Sequence, residues 1–168
     1  MPDSNDDVYL FLDIDGVICP KNRPVTDIEA QDWGQDWGQG WGKVFDPQCL
    51  NSFESEVIKH DQLNIVISSN WRKKQSLEKM RQAFSPQMAE KIVGVTPELN
   101  PTTRHYRYNE VLLYFKRNKL GSQHWIAIDD DEEHYPNSTV MVVTDTLKGF
   151  DELSANQLNA LIQNFAGK

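Results

Sequence analysis

An apolar run that leads into two carboxylates lies near the start of the chain: Val8-Tyr9-Leu10-Phe11-Leu12-Asp13-Ile14-Asp15-Gly16-Val17. Five consecutive apolar residues with branched and aromatic side chains are typical of a buried strand. Side chains at i and i+2 of an extended chain point the same way, so Asp13 and Asp15 share one face. Open α/β sheets bind ligands at the carboxyl ends of their strands, and Gly16 permits a sharp turn there. We therefore expect a ligand site directly after this strand.

Similar apolar runs recur along the chain, separated by polar or amphipathic segments. We predict strands at Val8–Leu12, Leu63–Ile67, Ile92–Val95, Trp125–Ile128 and Thr139–Val143. Apolar residues at helical spacing predict helices at Pro47–His60, Trp71–Glu90, Tyr108–Lys119 and Ser154–Phe165. This alternation is typical of a Rossmann-like α/β fold with a parallel sheet. Right-handed crossovers, with the fourth strand returning beside the first, give the strand order 5-4-1-2-3 and helices on both faces.

Hydrogen-bond donors follow the second predicted strand, in the segment Ser68-Ser69-Asn70-Trp71-Arg72. Hydroxyls and backbone N–H groups at the start of a helix can bind a phosphate, and a guanidinium adds positive charge. We therefore expect Ser68, Ser69 and Arg72 to lie at an anion site. Helix capping by Ser69 or Asn70 is the alternative interpretation.

An acidic cluster, Asp129-Asp130-Asp131, follows the fourth predicted strand. Neighbouring carboxylates repel one another unless solvent or a cation neutralises them, and Mg²⁺ takes oxygen ligands. The predicted strand order makes Asp13 and Asp129 neighbours in one crevice. Capping of the next turn is the alternative role for the first carboxylates. An EF-hand calcium loop is excluded, because Val17 stands where an oxygen ligand is needed.

The composition limits the classes of partner. The chain has 168 residues, of which 25 are acidic and 17 basic, and its net charge is -8. Such a charge disfavours generic binding to duplex nucleic acid. The apolar runs are far shorter than the roughly 18 residues of a membrane-spanning helix, so we expect no membrane association. Cys19 and Cys49 are too few for a disulfide framework, which favours reduced thiols and a cytoplasmic location.

We expect a single domain over residues 8–168, preceded by an acidic, disordered lead over residues 1–7. An insertion rich in Trp and Gly, at about residues 20–43, carries Trp33, Trp37 and Trp41 in a four-residue repeat. The glycines of this repeat argue against a helix, so we expect a loop. The loop either packs over the sheet edge through its aromatic rings or lines a substrate pocket and stacks on a ring.

These motifs together resemble the haloacid dehalogenase (HAD) superfamily. Its phosphatases carry D-x-D-G, a strand-end Ser or Thr, a basic residue and a strand-end acidic pair. The matching positions here are Asp13 to Gly16, Ser68, Arg107 and Asp129-Asp130. A smaller subgroup, the HAD domain of Swiss-army-knife RNA repair proteins, is similar in three segments: Ser68–Arg72, Gly94–Pro97 and Arg107-x-x-Glu110. The resemblance extends from about Val8 to Phe165.

The resemblance implies that Asp13 attacks phosphorus and that Asp15 serves as general acid and base. It implies that Mg²⁺ is bound by Asp13, the main-chain carbonyl of Asp15 and Asp129, with Asp130 either supporting these ligands or serving as an alternate ligand. It also implies that Ser68 and Arg107 hold the phosphoryl oxygens, next to Ser69 and Arg72 of the predicted anion site. Arg104 and Lys91 are the alternatives to Arg107 as the basic residue.

We therefore expect a Mg²⁺-dependent phosphomonoester hydrolase that works through an aspartyl-phosphate. The dehalogenases and P-type pumps of the superfamily lack the second Asp, which is present here. The alternatives are a phosphotransferase and a catalytically weak module that binds phosphate or recognises a partner through the Trp-rich loop. The insertion is too short for the large cap of many relatives. We therefore expect a minimal cap and a phosphorylated substrate that is a small molecule or a polynucleotide or protein end.

Overall fold

The structure is a computed structural model that describes residues 7–21, 45–121 and 123–166. Within these ranges the strands are Val8–Leu12 (β1), Leu63–Ile67 (β2), Ile92–Val95 (β3), His124–Asp129 (β4) and Met141–Val143 (β5). They form one parallel sheet with the order β3-β2-β1-β4-β5, which confirms the predicted order and α/β class. The last residue of β1, Leu12, pairs with Ile67 of β2 and Ile128 of β4. The three predicted polar strand ends therefore lie side by side.

Helices connect these strands. In the described ranges the α-helices are Pro47–Val57 (α1), Leu77–Arg81 (α2), Pro86–Lys91 (α3), Tyr106–Arg117 (α4) and Glu152–Ala166 (α5). Two 3₁₀ helices lie at Asn70–Lys73 and Glu132–His134. None of the helices in this part of the chain is long and apolar enough to cross a membrane.

The prediction of one helix over Trp71–Glu90 is wrong, because the segment divides into the first 3₁₀ helix, α2 and α3. Ser76 and Ser85 each accept a backbone N–H through their hydroxyls and begin a new helix. Pro86 in the first turn of α3 cannot donate to a preceding turn. The apolar spacing is helical throughout, but these capping residues interrupt the backbone.

Other predicted boundaries differ by a few residues. The predicted strand Thr139–Val143 begins at Met141, and the predicted helix Pro47–His60 ends at Val57. The helix predicted over Tyr108–Lys119 begins earlier, at Tyr106, so Arg107 lies in its first turn. His105 precedes it in a left-handed conformation with φ 52°.

Alternate residues of β1 supply two hydrophobic cores, one on each face of the sheet. Leu10 and Leu12 lie in the larger core, which includes residues of α1, α3 and α5. Phe11 lies in the smaller core on the other face, where its ring meets that of Tyr114 of α4 edge-on at 5.6 Å. The alternation continues past the strand, because Ile14 belongs to the larger core. Asp13 and Asp15 therefore face the side on which α4 lies.

We expect Phe11→Ala to lower the free energy of unfolding by about 3–5 kcal/mol, because the fully buried ring leaves a cavity between β1 and α4. Urea denaturation followed by circular dichroism measures this. Leu153→Ala is the control, since Leu153 is 64% exposed and its change should stay within about 0.5 kcal/mol. Equal losses in the two variants would contradict the placement of the smaller core.

Candidate active site

A cavity of about 390 Å³ opens at the carboxyl ends of β1 and β4. Five residues singled out from the sequence line it: Asp13, Asp15, Arg107, Asp129 and Asp130. Its position is the one expected for a ligand site of an open parallel sheet, beside the strand at which the chain order reverses.

The turn after β1 aims the first two carboxylates at this cavity. Asp13 still belongs to the sheet, because its N–H donates to the Ile128 carbonyl at 2.9 Å. Its side chain is buried, whereas Asp15, two residues on, is exposed. Burial, and then the neighbouring Asp129, raise the pKa of Asp13 well above its usual range, although Arg107 opposes the shift. The two acids thus meet different environments in one site.

Gly16 is required at this turn for two independent reasons. Its φ of 75° is a left-handed conformation that other residues rarely adopt. A Cβ at this position would also collide with the carboxylate of Asp130. Its carbonyl accepts a hydrogen bond from the Thr144 hydroxyl at 2.8 Å, which ties the turn to the end of β5.

Asp13, Asp129 and Asp130 form a compact acidic cluster, with one oxygen from each lying within 4.8 Å of the others. Asp129 is held on both sides: Oδ1 accepts the Asp131 N–H at 3.0 Å and Oδ2 accepts the Tyr135 hydroxyl at 3.2 Å. Burial raises the pKa of Asp129 to about 7, and Asp130 adds to the rise against the opposing effect of these hydrogen bonds. Such crowding of buried carboxylates calls for a positive charge.

The cluster fits a divalent cation. Its three potential ligands are all carboxylate oxygens, the hard donors that Mg²⁺ takes, and none is a His or Cys that would favour zinc. Asp129 is oriented by the Tyr135 hydroxyl and Asp130 by the Thr146 hydroxyl at 2.9 Å, as the carboxylate ligands of metal sites usually are. The structure therefore has a group of side chains that can hold a metal ion.

The end of β2 places Ser68 directly beside β1, since its N–H donates to the Leu12 carbonyl at 2.8 Å. The Ser68 hydroxyl is fully buried and has no hydrogen-bond partner among the described residues. A buried hydroxyl without a partner indicates a missing ligand or water. The Ser69 hydroxyl instead accepts the Trp71 N–H at 3.3 Å, the capping arrangement that the sequence left open as an alternative.

Two arginines share one buried carboxylate next to the cavity. Glu110 is fully buried and accepts Arg72 Nη2 at 2.7 Å and Arg107 Nη1 at 3.3 Å. Arg72 also donates to the Ser69 carbonyl at 2.6 Å and is not among the residues that line the cavity. Arg107 does line it, and its buried Nε has no partner in the described part of the chain. Burial lowers the pKa of Arg107, but Asp13 and its other anionic neighbours outweigh this and raise it.

The two alternatives to Arg107 lie elsewhere. Lys91 donates to the carbonyls of His60 and Asp61, which precede β2 and so lie at the opposite end of the sheet. Arg104 is exposed and donates to the ring of His105. Of the three basic residues considered from the sequence, Arg107 is therefore the one at the cavity.

Asn70 and Asp131, which belong to the predicted donor segment and acidic cluster, also line the cavity. Four further cavity residues were not predicted: Lys21, Tyr106, His134 and Thr146. Lys21 Nζ lies 3.4 Å from Asp130 Oδ2, and its N–H donates to the Thr146 carbonyl. The His134 ring meets the Tyr106 ring edge-on at 4.6 Å and its Nε2 lies 3.1 Å from Asp131. His134 is thus half-buried at the cavity wall. No spacing rule connects these residues to the motifs, since loops of different strands bring them together.

The predicted aromatic pocket residues Trp33, Trp37 and Trp41 lie outside the described residues, as do most of the insertion at 20–43 and the lead over residues 1–6. The predictions for the insertion, the lead and the extent of the domain stay predictions.

The sheet order, the acidic cluster at the β1 and β4 ends and the basic residue on α4 define an α/β domain of the HAD type. Residues 9–155 match the family described as the HAD domain in Swiss Army Knife RNA repair proteins. The chain belongs to this family, which confirms the resemblance seen in its motifs. No curated protein and no solved structure matches it. Family and acidic cluster together support phosphoryl-transfer chemistry, of the phosphatase or kinase-like kind.

We expect Asp129→Asn to stabilise the metal-free protein, because it removes one of three crowded carboxylates. In EDTA at pH 8 its melting temperature should rise by about 2–8 °C, the shift for roughly 1–2 kcal/mol in a domain of this size. Mg²⁺ should raise the melting temperature of the natural protein and have little effect on the variant.

Differential scanning fluorimetry measures both effects. Asp131→Asn is the matched control, since its side chain is 45% exposed and outside the cluster. An equal response to Mg²⁺ in the natural protein and Asp129→Asn would show that the cluster is not the metal site.

Proposed function

We propose that the protein is a Mg²⁺-dependent phosphomonoester hydrolase that acts through an aspartyl-phosphate on Asp13. The observation that carries the proposal is the acidic cluster that lines one cavity with Arg107. The buried Ser68 hydroxyl without a partner, at the neighbouring end of β2, supports it, although Ser68 is not among the residues that line the cavity. Oxygen anions need donors and positive charge, and a carboxylate nucleophile needs its substrate neutralised before it can approach.

Each part of the cavity has a role in binding the phosphoryl group. Asp13, Asp129, Asp130 and the main-chain carbonyl of Asp15 would hold Mg²⁺, which when bound neutralises the substrate and polarises its phosphoryl oxygens. Ser68 would donate its free hydroxyl to a phosphoryl oxygen. Arg107 would donate through the part of its guanidinium that Glu110 leaves free, since Nε has no partner among the described residues. Arg72 is paired with Glu110 and Ser69, so we assign it to the support of this site.

The reaction has two steps that balance. In the first, a carboxylate oxygen of Asp13 bonds to phosphorus, the bond from phosphorus to the leaving oxygen breaks, and Asp15 gives that oxygen its proton. In the second, Asp15 takes a proton from water, the water oxygen bonds to phosphorus and the bond to Asp13 breaks. The products are an alcohol and inorganic phosphate. The exposed position of Asp15 allows it to reach both the leaving group and water.

We expect Mg²⁺-dependent release of p-nitrophenol from p-nitrophenyl phosphate, and we expect EDTA to abolish it. Asp13→Asn should lower kcat by about 10³-fold or more, because an amide does not form the phosphoenzyme. Asp15→Asn should lower kcat by about 10²–10⁴-fold through loss of general acid and base catalysis.

Asp61→Asn is the matched control, since this aspartate is exposed and precedes β2, at the opposite end of the sheet. Its activity should equal that of the natural protein. A natural protein that releases no phosphate from any monoester would contradict the hydrolase and leave the phosphate-binding or partner-recognition module as the better explanation. A phosphorylated acceptor in place of free phosphate would identify a phosphotransferase.

The substrate class we propose is the phosphorylated end of a polynucleotide. The family description names RNA repair proteins. The cavity wall adds the partly exposed ring of His134, on which a terminal base can stack, and Lys21 for an adjacent phosphate. A small rigid metabolite would need none of these features.

We expect His134→Ala to raise KM for oligonucleotides with a 3′- or 5′-phosphate by about 5- to 100-fold, the range for loss of one base-stacking contact. KM for glycerol phosphate should change by less than about twofold, because this substrate has no ring. Tyr108→Leu serves as the control, since Tyr108 packs against Trp125 and is not among the cavity residues. Faster turnover of sugar phosphates than of every oligonucleotide would contradict the assignment.

A further inference from the structure

Trp71 connects the end of β2 to the turn after β1. Its indole Nε1–H donates to Asp15 Oδ1 at 3.1 Å, across 56 positions of sequence. The ring is 8% exposed and packs against Phe45, with 5.6 Å between the ring centroids. An exposed carboxylate is thus held by a donor whose own position is fixed by packing.

The chemistry of the indole restricts what this contact can do. The indole N–H donates and cannot accept, so the Asp15 oxygen that it binds serves as the acceptor. The proton that Asp15 carries to the leaving group is therefore favoured on the other oxygen, Oδ2, because an unprotonated Oδ1 is the stronger acceptor for the indole N–H. An exposed carboxylate without such a donor could present either oxygen and sample several rotamers.

We propose that Trp71 is a positioning residue that fixes the Asp15 carboxylate so that Oδ2 is the oxygen that gives and takes the proton. This inference rests on the proposed function, in which Asp15 is the general acid and base. Trp71 does not touch the reacting atoms, so it acts through Asp15.

Hydrogen bonds connect the Trp71 segment to the residues that we propose bind phosphate. The Ser69 hydroxyl accepts the Trp71 backbone N–H, and the Ser69 carbonyl accepts Arg72 Nη1. Arg72 is in turn held by Glu110 of α4, which also binds Arg107. The 3₁₀ helix Asn70–Lys73 therefore carries both the donor to Asp15 and the arginine that shares Glu110 with Arg107.

The first test replaces Trp71 by Phe, which keeps an aromatic ring against Phe45 and removes the N–H donor together with part of the indole ring, so the double-mutant cycle below accounts for the lost packing. We expect kcat for p-nitrophenyl phosphate to fall about 10- to 100-fold, the factor for one hydrogen bond to a charged group. KM and inhibition by inorganic phosphate should change by less than about twofold, because the phosphate donors are untouched. Trp125→Phe is the matched control, since Trp125 packs on Phe11 at the opposite end of the sheet, and its kcat should not change.

A double-mutant cycle separates positioning from general structural damage. In an Asp15→Asn background, Trp71→Phe should cause no further loss of kcat, because the carboxylate that it positions is absent. Multiplied losses in the double variant would overturn the proposal, and so would an unchanged kcat in Trp71→Phe alone.

A spectroscopic readout in the metal-free protein does not depend on turnover. The indole N–H signal that is missing from the ¹H–¹⁵N spectrum of Trp71→Phe belongs to Trp71. Asp15→Asn should move that signal and leave the Trp125 signal in place. No movement would overturn the hydrogen bond and the inference with it.

The activity of the natural protein distinguishes failure of the proposed function from failure of the proposed role of Trp71. A natural protein without phosphatase activity contradicts the proposed function, and the role of Trp71 falls with it. An active protein that Asp13→Asn inactivates but Trp71→Phe leaves at full kcat contradicts the positioning role alone.

Discussion

The structure depends on holding three carboxylates together at one edge of a parallel sheet. Asp13, Asp129 and Asp130 lie within 4.8 Å of one another, and Asp13 and Asp129 are buried. Burial and mutual repulsion both favour the protonated acids, so the arrangement costs free energy in the metal-free protein. The fold maintains it because the strands that carry the acids pair along their whole length and their apolar side chains fill two cores. The stability of the sheet therefore offsets the strain of the site.

Other features of the cavity follow from that constraint. Gly16 makes room for the Asp130 carboxylate, Tyr135 and Thr146 donate to the acids, and Lys21 approaches Asp130. Next to the cavity two guanidiniums share the single carboxylate of Glu110, which leaves one net positive charge near Asp13. Both arginines keep an Nε without a partner among the described residues, but only Arg107 lines the cavity and can donate there. A protein with a net charge of -8 can thus present a local positive group to an anion.

The strands and their order could be predicted from the sequence because each strand is a short apolar run and crossover handedness leaves few topologies. The same logic placed Asp13 beside Asp129, since pairing of β1 with β4 fixes their distance. The breaks in the helical segment Trp71–Glu90 could not be predicted from apolar spacing. The spacing is helical throughout, but Ser76 and Ser85 cap new helices within it. The ion-pair partner of Arg72 could not be predicted from the sequence either. Its charge suits an anion site, and only the tertiary structure shows that Glu110 binds it. Lys21 and Thr146 lie in loops, where periodicity gives no signal.

The proposed nucleophile and the proposed general acid and base are held in place in different ways. The nucleophile needs a fixed backbone, and Asp13 obtains it from its hydrogen bond to Ile128 in the sheet. The acid and base must reach solvent, so Asp15 lies beyond the sheet and cannot be fixed in the same way. A buried indole on the neighbouring strand end supplies the missing constraint without burying the carboxylate. Because the same 3₁₀ helix follows Ser68 closely in the chain, the proposed phosphate donor and the donor that holds Asp15 belong to one short segment at the end of β2.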